Sequence, residues 1–313
     1  MYDFTKKIKV YSPATVANVV CGFDVLGFAV HGIYDELVMR LIPKREIIIT
    51  NKDNYNLPTE PEKNVLGVAL LALLEEVKGD IGFEIESNKL IKPGSGIGSS
   101  AASAGGVIVG ANYLLEKPFT QKQLIEFAMA GEALASGSKH ADNIAPCICG
   151  GFTIVRTHDP VDVISIEAPP MFVTIVHPQI EVKTSDARNM LPTEIPFKKA
   201  IQQWGIIAAM VAGLMKGDYE LISRSMQDLI VEPIRQKLIP GYAEFQKIGH
   251  VEQAIGGGIS GSGPSMFMLS KEEETAKRIE HRAIELYSSL GLPFHTFVTT
   301  LNKEGVRIEE VSS

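Results

Sequence analysis

The sequence predicts a two-lobe α+β protein with a cleft between the lobes, and three observations lead there. The chain has 313 residues, more than one ordinary domain of roughly 100 to 200 residues would use. Hydrophobic residues make up 45% and charged residues 21%, proportions that bury a core and exclude a disordered, collagen-like or coiled-coil chain. Strand-like and helix-like runs alternate irregularly with no fixed period, which excludes solenoids and propellers.

Taken in order, Lys9 to Tyr11, Glu36 to Leu41, Ile47 to Thr50 and Gly82 to Glu86 read as strands, separated by turn-rich stretches such as Asn51 to Pro61. Asn64 to Val77 reads as an inserted helix. From Ser99 to Glu116 small and apolar residues fall at helical spacing, and Thr120 with Gln123 forms a capping-box signature for a helix ending near Gly137. Strands return at Gly151 to Arg156, Val163 to Glu167 and Phe172 to Val176. Pro169 and Pro170 mark a seam, dividing the chain into residues 1–168 and 169–313. Beyond it, Ala200, Trp204, Ile207, Ala208, Val211, Leu214 and Met215 share one helical face, expected to face the core. Ser270 and Glu273 are expected to cap a last helix to Leu290, and Thr296 to Leu301 to form the closing strand.

Lys and Arg total 30 against 37 Asp and Glu, a net charge of −7. That is the wrong sign for a surface that grips nucleic acid or acidic lipid, so an anionic ligand must be held locally. No apolar run reaches the roughly 18 residues of a membrane span, and the N-terminus lacks the apolar core of a secretory signal. The expected location is the cytoplasm. Cys21, Cys147 and Cys149 match no metal or redox spacing and are expected to be buried, inert thiols.

The chemistry concentrates in PGSGIGSSAAS, Pro93 to Ser103, where seven of eleven residues are Gly or Ser and none is charged. The segment directly precedes a helix. Glycines let backbone N–H groups approach phosphate oxygens, and the helix N-terminus adds unsatisfied donors and the positive end of its dipole. The spacing is not that of a Walker A loop, which needs a Lys after its second Gly. It also misses the dinucleotide-binding G-x-G-x-x-G by a residue. A second glycine-rich stretch, Ala254 to Ser265, holds five glycines in twelve residues and needs close backbone approach.

PGSGIGSSAAS resembles the central phosphate-binding motif of the GHMP kinases, and two further blocks stand in the family's order: SPATVANVVCGFDVLG from Ser12 and AIGGGISGSGPSMF from Ala254. The resemblance implies a lobe like ribosomal protein S5 domain 2 followed by a ferredoxin-like lobe. It also implies transfer of phosphate from ATP, with Mg²⁺, to a small alcohol. It places Asn64, Pro93, Gly94, Ser95, Gly96, Ile97, Gly98, Ser99 and Ser100 on the nucleotide and Glu132 with Ser100 on the metal, Ser99 being the alternative to Ser100. Lys92 is a further candidate for a phosphate oxygen.

HADNIAP from His140, TSDARNMLP from Thr184 and EPIRQKLIPG from Glu232 narrow the resemblance to members whose acceptor is L-homoserine. Such a zwitterion needs both signs of charge. Arg188 and Arg235 suit its carboxylate and Asp24 its ammonium. Asn18, His140, Thr184 and Gly261 complete the substrate positions that the resemblance implies. Phosphoryl transfer runs mainly on positioning and charge neutralisation. Asn143 is therefore expected to orient the hydroxyl, and Asp142 is the alternative as a general base. A mevalonate-type or sugar alcohol is the rival acceptor; a non-catalytic member of the family would show a decayed loop, and here the loop is intact. A homodimer is expected on the base rates of metabolic enzymes.

Overall fold

The computed structural model describes residues 2–137, 139–182 and 184–311, apart from the side chains of 136, 184 and 185. In chain order the elements are β1 (Lys7–Ala17), β2 (Leu26–Ile42), β3 (Ile47–Asn51), α1 (Val65–Glu76), β4 (Gly82–Asn88), α2 (Ser99–Leu114), α3 (Gln121–Ser136) and α4 (Ile144–Cys149). They continue with β5 (Phe152–His158), β6 (Val161–Ile166), β7 (Phe172–Pro178), α5 (Thr184–Asn189), α6 (Phe197–Lys216), α7 (Tyr219–Ser225), α8 (Glu232–Arg235) and α9 (Tyr242–Val251). The chain closes with β8 (Gly256–Ile259), β9 (Met266–Ser270), α10 (Glu273–Ser289), β10 (Phe294–Thr300) and β11 (Arg307–Val311).

The strands form two sheets. The first runs β11-β1-β2-β4-β3, with β5 paired to β2 and β6 to β5. All its pairs are antiparallel except β3 with β4. Alternation along β1 sends Ile8 and Val10 to one face, where they meet Leu37, Met39, Phe83 and Ile85. Leu66 and Leu70 of α1, Val107 and Ile108 of α2, and Ile125 and Met129 of α3 cover that face. The second sheet is antiparallel with order β10-β7-β9-β8. Numbered within its lobe this is 4-1-3-2, the ferredoxin-like order. Phe245 of α9 and Ile279, Ala283 and Tyr287 of α10 pack on Met266 and Met268.

The two layers share a core. Phe28 of the first sheet lies 4.7 Å from Phe152 and 5.7 Å, edge-on, from Phe267 of the second, among Val173, Ile175, Met210 and Leu214. Aromatic contacts at such distances add to the area they bury and hold the lobes as one body around the cleft.

Thr120 and Gln123 form the expected capping box, and Asn64 caps α1 by accepting from the Leu66 N–H at 2.9 Å. Several expectations are corrected. The seam at 168/169 falls between β6 and β7, and the strand expected at Thr296 to Leu301 is β10 of the second sheet, but it does not close the fold: β11 follows it and returns to pair with β1 in the first sheet. β2 starts ten residues before the alternating Glu36–Leu41 stretch because Leu26 to Val30 is buried on both faces and shows no alternation. Ser270 ends β9 instead of capping α10, whose N-cap is Glu272 without a side-chain bond.

The α6 stripe is only partly core. Of its members Ala200 and Leu214 are buried and Ile207 and Val211 half-buried, whereas Ala208 is exposed, as are Trp204 at 57% and Met215 at 70%. The helix lies on the outside of its lobe and turns one edge of that stripe to solvent. Among the described residues no helix is long and apolar enough to cross a membrane. Burial pushes the thiol pKa of Cys21 and Cys147 up to about 12 and that of the half-buried Cys149 up to about 11, so they stay protonated at neutral pH.

Candidate active site

Three loops meet over the N-terminus of α2. In the first, Gly96 and Gly98 take φ of +82° and +71°. A Cβ on Gly96 would lie 2.5 Å from the Gly263 carbonyl oxygen, and one on Gly98 would lie 2.0 Å from Thr15 Oγ1. Both positions therefore require glycine for conformation and for space. The second loop locks onto the first: Ser260 Oγ donates to the Gly96 carbonyl at 2.7 Å, and the Ser265 N–H donates to that of Ser95 at 3.2 Å. The third joins them at β1, where the Thr15 N–H donates to the Ile97 carbonyl at 3.1 Å and the Gly261 N–H to that of Ala17 at 3.3 Å.

These loops border a cavity of about 650 Å³. Pro93, Gly94, Gly96, Gly98, Ser99, Ser100 and Asn64 line one side of it. Ser95 and Ile97, 1% and 3% exposed, do not: Ile97 packs into the core between the lobes. Ser99 Oγ donates to the Ile91 carbonyl at 2.8 Å, while Ser100 is half-buried on the cavity wall. Asn64 Oδ1 is taken by its cap and its Nδ2 by the Pro58 carbonyl. Lys92 points to Gln179, donating to its Oε1 at 2.8 Å.

The other end carries the charges. Asn18, Asp24, Glu132, His140, Asp142, Asn143, Arg188, Arg235 and Gly261 all line the cavity. Thr184 begins α5 but its side chain lies outside the described residues. Asn18, at φ +71°, ties the first motif to the last: its Nδ2 donates to the Gly261 carbonyl at 2.8 Å, and its Oδ1 accepts the Asp24 N–H at 3.1 Å. Arg188 grips Asp24 through both terminal nitrogens at 2.8 to 3.1 Å, so these opposite charges are paired with each other. Arg188 Nε is buried and without a hydrogen-bond partner among the described residues.

Arg235, 3% exposed, donates to the carbonyls of Ala187 and Gly261, both at 3.2 Å. Burial, then the Arg188 charge, pushes its guanidinium down to about 10, so it remains a cation at neutral pH. Phe23 lies between the two arginines, its ring centroid 5.3 Å from Arg188 and 4.9 Å from Arg235. Aromatic faces attract cations and so help to hold two like charges close together.

His140 Nδ1 is 3.8 Å from Asp24 Oδ2, and burial lowers the imidazole pKa despite that neighbour. Burial first, then the charges of Asp24 and Glu132, pushes the Asp142 carboxyl up to about 7. Asn143 Oδ1 accepts from Thr15 Oγ1 at 2.7 Å.

Sequence reasoning missed Phe23 and Thr15, and it missed a buried ion pair on the cavity floor. Lys89 Nζ donates to Asp35 Oδ2 at 2.6 Å, Ser103 Oγ at 2.7 Å and the Ser99 carbonyl at 3.0 Å, while Asp35 Oδ1 accepts the N–H groups of Leu90 and Ile91. All three ammonium donors are used, which makes this pair a support for the start of α2. Asp35 and Lys89 are 54 positions apart, and no local pattern links them.

A glycine-built anion loop on a helix N-terminus, facing a charged pocket across a cleft, defines a phosphotransferase of small molecules. The models of the GHMP kinase N-terminal and C-terminal domains match residues 64–151 and 210–289. A homoserine kinase of Chlorobium phaeobacteroides is 41% identical over 97% of this chain and 99% of its own length. One from Methanococcus maripaludis is 41% identical over 86% of this chain and 89% of its own. The crystal structure of homoserine kinase from Cytophaga hutchinsonii superposes with a TM-score of 0.93 at 45% identity, covering 99% of both chains. At 15% identity and a TM-score of 0.72, an L. major mevalonate kinase shares the fold. The chain belongs to the homoserine kinase family of the GHMP kinases.

Proposed function

We propose that the protein transfers the terminal phosphoryl group of ATP to the hydroxyl of L-homoserine, giving O-phospho-L-homoserine for threonine biosynthesis. The observation that carries the acceptor assignment is a carboxylate, Asp24, paired with Arg188, together with a second guanidinium, Arg235, in the lining of the same cavity. An amino-acid zwitterion matches it in sign: its carboxylate suits the two guanidinium groups of Arg188 and Arg235, and its ammonium takes the place of Arg188 toward Asp24. Asn18, His140, Thr184 and Gly261 belong to the same acceptor end, while Asn64, Pro93, Gly94, Gly96, Gly98, Ser99 and Ser100 belong to ATP.

The loop at Gly96 and Gly98, packed at positive φ so closely on Gly263 and Thr15 that neither glycine has room for a Cβ, suits the phosphates with its backbone N–H groups. Ser99 is occupied with Ile91, which supports Ser100 as the hydroxyl that joins Glu132 at Mg²⁺. A hydroxyl and a carboxylate are the few hard oxygen donors this ion takes from protein when phosphates supply others. Bound Mg²⁺ supplies neutralisation of the charge on the transferring phosphate. The loop N–H groups and the α2 N-terminus do the same with fixed dipoles, and Asn143 orients the acceptor hydroxyl. Asp142, pushed up to about 7, is the competing candidate for taking the hydroxyl proton. The same reading places the enzyme in the cytoplasm as a homodimer, supported by its protonated thiols and by the frequency of two-fold symmetry; light scattering checks the mass.

ADP release with ATP and Mg²⁺ tests the reading, comparing L-homoserine with L-serine, L-threonine and mevalonate at matched concentration and identifying the phosphorylated product. Turnover with homoserine alone is expected. Folded protein that binds ATP and turns over only mevalonate would overturn the amino-acid site.

A further inference from the structure

Asn143 stands at the N-cap of α4, where an asparagine side chain ordinarily accepts a backbone N–H two or three residues on. It makes no such bond. Its Oδ1 instead accepts the hydroxyl hydrogen of Thr15 at 2.7 Å. Thr15 is fully buried on β1, and its own N–H holds the Ile97 carbonyl of the phosphate loop. Gly98 closes over the pair: a Cβ there would lie 2.0 Å from Thr15 Oγ1 and 3.0 Å from Asn143 Oδ1. One buried residue therefore grips both the loop that receives ATP and the amide that faces the acceptor.

A carboxamide has two unlike ends. With Oδ1 turned to Thr15, the Nδ2 hydrogens are the end left for the cavity that Asn143 lines. Resting on the kinase reading above, we infer that Thr15 is a positioning residue that fixes the Asn143 amide with its NH₂ toward the acceptor hydroxyl, so that Asn143 acts there as a hydrogen-bond donor. Asn143 then steers a lone pair of that oxygen without accepting its proton. Thr15 touches neither substrate; it acts through Asn143 and, by its backbone, sets the distance between that amide and the loop.

Three variants test this by steady-state kinetics and thermal unfolding. Thr15→Val keeps the shape, removes the hydroxyl and leaves the backbone bond to Ile97 intact. It is expected to lower kcat about 10- to 100-fold, as loss of orientation at a reacting group does, with the KM values for ATP and homoserine within about 2-fold of wild type. Thr15→Ser is expected to restore most of kcat, which a purely packing role for the methyl group would not allow. Asn143→Asp puts an acceptor where the donor stands and is expected to be no more active than Asn143→Ala, in folded protein that still binds ATP.

Wild-type kcat in Thr15→Val, or Asn143→Asp retaining clearly more activity than Asn143→Ala, would overturn the inference and make Asn143 an acceptor or leave its orientation to other groups. Absence of turnover with homoserine in the unmodified protein would instead overturn the kinase reading, so the two failures are distinguishable.

Discussion

The two ends of the cavity are built on opposite principles. On the proposed reading the nucleotide end comes, apart from Asn64, from one stretch between Pro93 and Ser100, and offers backbone N–H groups and a helix terminus with few side chains. On that reading the acceptor end draws Asn18, Asp24, His140, Arg188, Arg235 and Gly261 from five distant segments, and Arg188 is paired there with Asp24. A fixed array of dipoles tolerates a ligand common to many enzymes. A set of paired charges selects by sign and geometry, because an unmatched ligand leaves a desolvated ion behind. On the proposed reading, recognition of the shared substrate is carried by main chain and recognition of the particular one by side chains.

Substitutions that injure one end and spare the other are the means of breaking that division. The largest effect is expected from Gly98→Ala. Its Cβ would have to enter the space of Thr15 Oγ1 at positive φ, and a shift of about 1 Å at a reacting centre costs on the order of 100-fold in rate. Turnover should collapse and ATP binding weaken, while homoserine binding measured calorimetrically persists.

Next is Arg188→Ala, which removes charge-assisted hydrogen bonds worth about 1.5–3 kcal/mol each and takes from Asp24 its guanidinium partner. KM for homoserine should rise at least about 10-fold with KM for ATP unchanged. Arg188→Lys should rescue little, because an ammonium cannot reproduce the fork. If Arg188→Ala weakened ATP more than homoserine, the division of the cavity would be wrong. Smaller again is Phe23→Leu, which takes the ring from between two guanidinium groups. At about 0.5–1 kcal/mol for each cation–ring contact, KM for homoserine should rise several-fold. ATP should not notice.

The smallest effect concerns the support beneath the acceptor end. Glu232 on α8 accepts the Ile259 N–H at 2.7 Å, and a Cβ on Gly258 would lie 2.0 Å from its Oε1. Burial pushes this carboxyl up to about 7 against the ordinary 4.5, opposed by the hydrogen bonds of Ile259 and Tyr242. The folded state thus holds a proton that the unfolded state has lost. This contribution to stability is fully present below about 4.5, declines as pH rises toward 7, and is absent above it. Glu232→Gln should flatten that part of the fall in Tm between pH 5 and 8, by a few degrees. An unchanged slope would show the carboxyl to be ionised throughout.

Legibility followed the same division. PGSGIGSSAAS and the Thr120 capping box work within a few residues, and both stand where local rules place them. Asp24 and Arg188 were legible only as separate charges and through family resemblance; nothing local says that they hold each other. Thr15 and Phe23 gave no signal, because a threonine in a strand and an aromatic in an apolar stretch are ordinary core residues. The α6 stripe misled for a related reason. Periodicity reports an amphipathic face but not which part of it another element covers, and Trp204 and Met215 fall on the uncovered edge.

The sequence by itself determined the alternation of strands and helices, the glycine loop and its helix, and the charge types available for a zwitterion, since each depends on neighbours along the chain. Tertiary structure alone decided the return of β11 to the first sheet, the Lys89–Asp35 support, the placing of Phe23 between two arginines and the grip of Thr15 on Asn143. Those are contacts between segments far apart in sequence. Their partners are chosen by packing around a shared core, which no local pattern encodes.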